Sequence, residues 1–474
     1  MIRRLGAVLM VLMLLAVALP SLAADVKIKG DFNNRFMVYT NHNDWLDVEE
    51  GVLRDGSSSE TWGEAKYRMW FDAGTDDGKV KGVWAMEIGG LEYGKPSVGG
   101  SSSTGGSYSG DNVNIETRWL YTDFQLPWAC EKARVRMGLQ PFNANSFFWS
   151  ETIMGVTSDI AAGPVNLNFA WLRPYRDETK DPDDDVEDLD AFYVRADFKP
   201  ADGIKAGVFG VYMTGDPDNS GPATSTITSQ KYEVKNFANK YELDLFTLGL
   251  DGKADIGKFF VNWDLMYQNG SVDGANFAES YNSWAYNKAA VDQNFDVSAW
   301  FAHFDLGFKM DKMKFTYTFW YSSGDDDGAD GDFDAFMAVD IDRMDNICIF
   351  EGGFTDDDYY TEKGYLLDKG FIMNKLAFDY KASKKLALGA AAMYMLTAED
   401  IEYVDKNGKL QKEDEVGIEF DAYLKYKLYD NLEFAINAGY LFSGDAMDFW
   451  EVQDRDGSSD EDIFISTMRV RYSF

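Results

Sequence analysis

From Val26 to Phe474 the chain alternates apolar and polar residues with a period of two, the spacing of a strand with one apolar and one polar face. The first strand sets Val26, Ile28, Gly30, Phe32, Phe36 and Val38 against Lys27, Lys29, Asp31, Asn33 and Arg35. The second sets Ala65, Tyr67, Met69 and Phe71 against Glu64, Lys66, Arg68 and Asp72. Farther on, Trp300, Ala302, Phe304, Leu306 and Phe308 oppose His303, Asp305 and Lys309. The pattern predicts strands over 26–40, 61–73, 79–92, 113–126, 132–140, 152–160, 164–174, 189–199 and 203–214. It continues over 240–253, 258–269, 295–310, 313–323, 371–382, 386–398, 415–429, 432–443 and 462–474, eighteen in all. The short run 152–160 follows an unusual segment; without it its partner also goes, and sixteen strands remain. The fold class is all-β and antiparallel.

The connections alternate in length. Short ones fall at 74–78, 200–203, 311–312, 384–385 and 430–431. Long ones fall at 41–60, 93–112, 173–188, 215–239, 271–294, 323–370, 401–414 and 444–461. Short turns at one end and long loops at the other describe a membrane-spanning barrel, and an even strand count puts both termini at the short-turn, periplasmic end. After the N-terminal segment the longest apolar run, Leu386 to Leu396, is rich in Ala and Gly, so any membrane residence rests on a closed barrel.

The two ends agree. Arg3 and Arg4 precede an apolar run from Leu5 to Leu19 and then Pro20, Ser21, Leu22, Ala23 and Ala24. This predicts a cleaved export signal over 1–23, cut after Ala23 or Ala24, with a single domain over 24–474. The first amphipathic strand begins almost at the cleavage site, which leaves no room for a separate plug domain. The last strand carries Phe464, Met468, Val470, Tyr472 and Phe474 on one face and Thr467, Arg469, Arg471 and Ser473 on the other. A chain ending on such a strand with a terminal Phe resembles Gram-negative outer-membrane β-barrel proteins. In that family the closing strand, here with Val470, Tyr472 and Phe474, is the signal read by the barrel-assembly machinery.

A net charge of −35 excludes a nucleic-acid partner, which needs a basic footprint. It suits an acidic outer surface next to lipopolysaccharide. Aromatic content of 15% and 43 glycines fit aromatic girdles and tight turns. Cys130 and Cys348 fall at opposite ends of the predicted barrel, so no disulfide joins them.

Candidate chemistry lies in the lumen. The segment 140–151 is aromatic and nearly uncharged. As the third external loop it has the ordinal position of the porin loop that folds inward, with Phe147, Phe148 and Trp149 packing it on the inner wall and Glu151 near the constriction. The alternative is an aromatic cap at the membrane interface. On the early strands, Lys27, Lys29, Arg35, Lys66, Arg68, Arg118, Arg134 and Arg136 share the polar face, and barrel closure adds Arg469 and Arg471. They form a cationic wall, read either as one side of a transverse field across the pore or as partners of in-barrel salt bridges.

Acidic loops at 176–188, 325–334 and 454–462 offer the oxygen ligands that Ca²⁺ takes. The nearest formal match is Asp216 and Asp218, but position twelve of that loop is Ile227, so no metal site and no cofactor is assigned beyond calcium at the external loops. His42 and His303 lack a neighbouring nucleophile motif, and an enzyme is not expected.

The whole pattern resembles general diffusion porins of Gram-negative outer membranes, especially the acidic porins of Desulfovibrio-type sulfate-reducing bacteria. The resemblance implies a homotrimer with one water-filled pore per subunit, passing small hydrophilic solutes and ions. Two alternatives stand beside it: a channel specific for small anionic or sugar solutes, and a structural or adhesive surface barrel. The outer loops favour cations and the inner arginines anions; the large acidic excess points to a weak cation preference.

Overall fold

The computed structural model describes residues 25–41, 59–95, 105–106, 113, 115–127, 133–176, 187–216, 242–277, 291–326, 330–341, 346–348, 354, 368–404, 407–446, 448 and 462–474. The signal segment, His42, Cys130, Asp218, the loop 454–461 and most of the loop 176–188 lie outside the described residues.

Eighteen long strands run in chain order: β1 Asp25–Thr40, β2 Ser59–Gly74, β3 Val80–Tyr93, β4 Glu116–Gln125, β5 Ala133–Asn145, β6 Trp149–Ala162, β7 Val165–Tyr175, β8 Glu187–Ala201 and β9 Ile204–Asp216. They continue as β10 Glu242–Ile256, β11 Phe259–Phe277, β12 Val291–Met310, β13 Met313–Ser322, β14 Phe371–Lys381, β15 Leu386–Val404, β16 Leu410–Tyr429, β17 Leu432–Ser443 and β18 Ile463–Ser473. Two-residue strands at Gly105–Gly106 and Asp332–Phe333 add short parallel pairings. Every long strand pairs antiparallel with its sequence neighbour, and β1 also pairs with β18, which closes the sheet into a barrel. Closure leaves no open edge, the condition for a sheet to reside in lipid.

The seam shows why the chain closes in one register. Residues Asp31 to Thr40 pair with Ser473 to Phe464, and the backbone of Phe474 exchanges two hydrogen bonds of 3.0 Å with Gly30. The Phe474 ring then lies across Gly30, where a Cβ would stand 2.3 Å from it, so any other residue at position 30 collides with the terminal ring. Phe32 and Tyr472 pack on that ring at 5.6 and 5.4 Å.

Alternation sorts the side chains. Outward positions such as Phe36, Trp84, Phe169, Phe246, Leu306 and Phe420 are exposed, giving the apolar exterior a bilayer requires. Inward positions such as Asn33, Arg35, Lys66, His303 and Arg469 are buried. The strand expected over 152–160 is longer, Trp149–Ala162, so the count stays at eighteen. The segment 140–151 is not a loop: β5 and β6 extend through it and leave only three residues between them.

Candidate functional site

The cationic wall exists and is threaded with carboxylates. Arg35 is buried against Glu64, its register partner on β2. Glu87 on β3 is met by Lys66 at 3.5 Å, Arg68 at 2.6 Å and Arg118 at 3.1 Å. Asp123 on β4 is met by Arg134 at 2.5 Å and by Lys81 and Arg136 at 3.8 Å. On β18 Arg469 holds Glu433 of β17 at 3.0 Å, and across the seam Arg471 holds Asp31 of β1. Lys27 and Lys29 sit exposed at the periplasmic end, 3.7 and 3.9 Å from Asp25 and Asp72. Glu87 and Asp123 thus each carry three cations, so the wall keeps a positive surplus although its members are paired.

From the β5 end of this wall the barrel sends a hairpin into its own lumen. Pairing between β4 and β5 stops at Leu120 and Leu139, and pairing between β6 and β7 begins only at Gly155 and Leu172. The β5–β6 ladder nevertheless continues to Asn145 and Trp149, so the hairpin leaves both neighbours and turns inward. It turns at facing glycines, Gly138 and Gly155. Gly138 has φ +125°, and a Cβ there would stand 2.4 Å from the Leu120 carbonyl oxygen, so only glycine fits the bend.

The hairpin tip lands on the far wall. Phe147, Phe148 and Trp149 are buried, as a packed inward segment requires. Phe147 stacks near His303 at 4.4 Å and meets Trp320 edge-on at 4.9 Å. Asn145 Nδ2 donates to Asp264 Oδ1 at 2.7 Å, and Arg195 ties the Ala144 carbonyl, at 3.2 Å, to Asp251 through a bidentate pair at 2.6 and 2.7 Å. His303 sits between Asp264 at 3.0 Å and Asp305 at 3.5 Å.

Part of the segment 323–370 joins it. The Phe148 carbonyl accepts from the Val339 amide at 2.8 Å, and Gln268 bonds both backbone groups of Met337 at 2.8 and 2.9 Å. Ile347 and Cys348 amides both donate to Glu419 Oε1, at 2.7 and 2.8 Å. Burial pushes the free Cys348 thiol well up, with Glu419 and Asp421 adding to the shift; it is an inert thiol. Around these contacts Phe295, Val297, Phe301, Phe333, Phe336 and Met373 make an apolar core inside the barrel.

Below the hairpin a cavity of about 500 Å³ is lined by Arg136 and Arg195 and by Asp159, Asp197, Asp251 and Asp264. Glu151 lies on the descending arm, half-buried and opposite Phe142, with Oε1 accepting from the Thr152 amide at 2.5 Å. Arg136 on β5 and Arg195 on β8 thus share the water-accessible space with carboxylates on β6, β8, β10 and β11.

The strand pattern brought together Arg35, Lys66, Arg68, Arg118, Arg134, Arg136, Arg469 and Arg471, and the aromatic run marked the hairpin tip. It missed Glu87 and Asp123, single acids on the polar faces of their strands, and it missed Arg195, Asp251 and Asp264, which hold the hairpin. Among the calcium candidates Asp216 ends β9 beside Glu187, and among the described residues no group of three His, Cys, Asp or Glu side chains is arranged to hold a metal.

No family model matches the chain, and no curated protein matches it. Solved structures do. OccK8 (OprE) of Pseudomonas aeruginosa is 13% identical over 95% of this chain and 98% of its own, with a TM-score of 0.52. OccAB1 of Acinetobacter baumannii is 11% identical over 94% and 97%, with a TM-score of 0.52. OpdL of Pseudomonas aeruginosa is 11% identical over 95% and 99%, with a TM-score of 0.51. The fold they share with this chain is the closed eighteen-strand antiparallel barrel. At this identity the likeness is one of fold, here to Occ and Opd structures of Pseudomonas and Acinetobacter.

Proposed function

We propose that this protein is a porin of the Gram-negative outer membrane that lets small hydrophilic solutes and ions diffuse passively through its lumen. One observation carries the reading: a closed eighteen-strand barrel with an apolar exterior encloses a charged, partly open interior narrowed by its own hairpin. Arg68, Arg118, Arg134, Arg136 and Glu151 line the passage, and Arg35, Lys66, Arg469 and Arg471 extend the charged wall behind it. Reconstituted into planar bilayers, the purified protein is expected to give discrete conductance steps in KCl; none at all sinks this reading and leaves a structural or adhesive surface barrel.

A second reading, a channel specific for small solutes, is favoured by the filling of the lumen. The hairpin and residues 333–341 occupy its outer part, leaving cavities of about 500 and 320 Å³, the size range of small-molecule sites. Solute-saturable conductance favours it over general diffusion. Charges at the constriction are screened less than those of the loops, since the Debye length is about 8 Å at physiological ionic strength. The acidic excess still sets the ion supply at the mouth, and a weak cation preference follows; a reversal potential of anion sign in a KCl gradient overturns it.

The protein carries out no chemistry on its solutes. It assembles as a homotrimer in lipopolysaccharide-rich membrane, delivered by the barrel-assembly machinery through Val470, Tyr472 and Phe474. Gel migration before and after boiling tests barrel and trimer together. Calcium at the acidic external loops, with Asp216 and Asp218 as the nearest candidates, is tested by titration calorimetry. The acidic loops carry the remaining likeness to Desulfovibrio-type porins.

A further inference from the structure

The second cavity, of about 320 Å³, lies against the inner wall of β12 to β17 and reaches the end of the cationic wall, where Arg469 stands over the Phe354 ring at 4.6 Å. Its concavity comes from small residues in register: Ala377 pairs with Ala391, which pairs with Asp421, which pairs with Gly439. The strands one step away place Lys314, Asp379 and Tyr423 below this row and Asp305 and Lys375 above it. Ile347 and Phe354 cover it from the lumen.

Two polar groups more than nine-tenths buried line it without a hydrogen-bond partner, Asn437 Nδ2 and Thr316 Oγ1. The Asn437 amide cannot turn to hide its donor, because Oδ1 already accepts from the Thr467 amide at 3.0 Å. A buried donor left unpaired is costly, so this one points to a ligand or solvent acceptor. Tyr423 and Phe354 add an aromatic face, with the Lys425 ammonium over both rings at 5.3 and 5.1 Å.

Charge separates this cavity from the wall. Lys314, Lys375 and Lys425 are matched by Asp305, Asp379 and Asp421, and Arg469, over the Phe354 ring, by Glu433 at 3.0 Å. Three cations gather on each of Glu87 and Asp123, whereas here the two signs balance. A balanced site with no surplus does not draw an anion or a cation by its field. It suits a neutral solute with many hydroxyls, each able to donate to a carboxylate and accept from Asn437, Thr316 or Lys425. An aromatic face receives the C–H side of such a ring. The volume holds about ten waters at ~30 Å³ each, or one six-carbon ring with a few waters.

We propose that this cavity is a binding site for a neutral polyhydroxylated solute of monosaccharide size. The proposal rests on the channel reading above and names its solute class.

The test is KCl current through the full-length protein in planar bilayers, with glucose as the probe. Glucose is expected to lower the current saturably. Asn437→Leu weakens that effect about three- to tenfold, the worth of one hydrogen bond. Ala391→Phe, which fills the cavity, abolishes it and lowers the glucose-free KCl current as bound glucose does; Asn437→Leu keeps KCl conductance, and both variants keep heat-modifiable migration. An intact KCl current with no saturable glucose effect overturns the site and leaves the channel standing. So does a glucose effect unchanged in both variants, or glutamate saturating the current where glucose does not. If no KCl current is found, equilibrium dialysis of glucose against the detergent-solubilised protein decides the site by itself: binding lost in Ala391→Phe supports it, and no binding overturns it.

Discussion

The Phe147 ring lies 4.4 Å, centroid to centroid, from the His303 imidazole, joining the tip of the β5–β6 hairpin to the inner face of β12. Packing and a few hydrogen bonds hold this crossing. Phe147→Ala removes a fully buried aromatic, worth about 3–5 kcal/mol of local packing. The barrel wall does not depend on it. Single-channel conductance and open-state noise are therefore expected to rise while heat-modifiable migration is kept. Conductance identical to the wild type rules out the hairpin tip as the element that narrows the passage.

The bend at Gly138 carries a sharper prediction. Gly138→Ala meets both a left-handed φ of +125° and the Leu120 carbonyl at 2.4 Å, so it is expected to cost more than ~1 kcal/mol. Gly82→Ala on β3, where nothing lies within 4 Å of the added Cβ, is the control. Thermal unfolding in detergent should fall for the first variant and hold for the second.

Arg35 and Glu64 are both nearly inaccessible. Removing one partner of a buried ion pair costs about 3–5 kcal/mol, whereas replacing both with apolar residues of similar size is close to neutral. Glu64→Ala should therefore lower the unfolding temperature strongly, and Arg35→Met with Glu64→Leu should recover most of the loss. Equal losses in the single and double variants contradict this account.

Beyond the outer end of β13, Asp325 is buried beside Asp368, its amide donating to the Asp368 carbonyl at 2.6 Å. Burial, reinforced by the Asp368 charge, pushes its carboxyl up to about 7 from an ordinary value of 3.8. Between those values the folded loop keeps a proton that the opened loop has released. Its contribution to stability is present below the ordinary value and is lost as pH rises toward 7. Proteolysis within 323–370 should accordingly be slower at pH 5 than at pH 8, and Asp325→Asn should flatten the dependence. A wild-type rate that does not change with pH counts against it.

The barrel was legible because its signal is local. A period of two at Val26 to Val38 or Trp300 to Phe308 says which side meets lipid, and the charge on the opposite positions says which side does not. The hairpin was only half legible. Its aromatic tip stood out, yet the segment looked like a loop because Pro141, Asn143, Asn145 and Ser146 are residue types of turns rather than strands. The apolar lumen core was missed for a different reason. On the outer half of β12 the alternation inverts: Phe295, Val297 and Phe301 are buried inside while Asn294, Asp296 and Ser298 are exposed, so the apolar face reads from the sequence as the lipid face. Glu87 carries no periodic mark that distinguishes a carboxylate meeting three cations from an ordinary surface acid.

Alternation, turn spacing and the amphipathic last strand thus decide the barrel, its eighteen strands and the sorting of Arg35, Lys66, Arg68 and Arg469 to the inside. Each depends on residues two apart or on neighbouring strands. The tertiary structure alone decides where the hairpin lands, which acids meet which arginines, and how the lumen is divided into cavities. Phe147 and His303 are far apart in the chain, and Glu87 draws cations from two different strands; such contacts arise only when the barrel closes, and no local pattern encodes them.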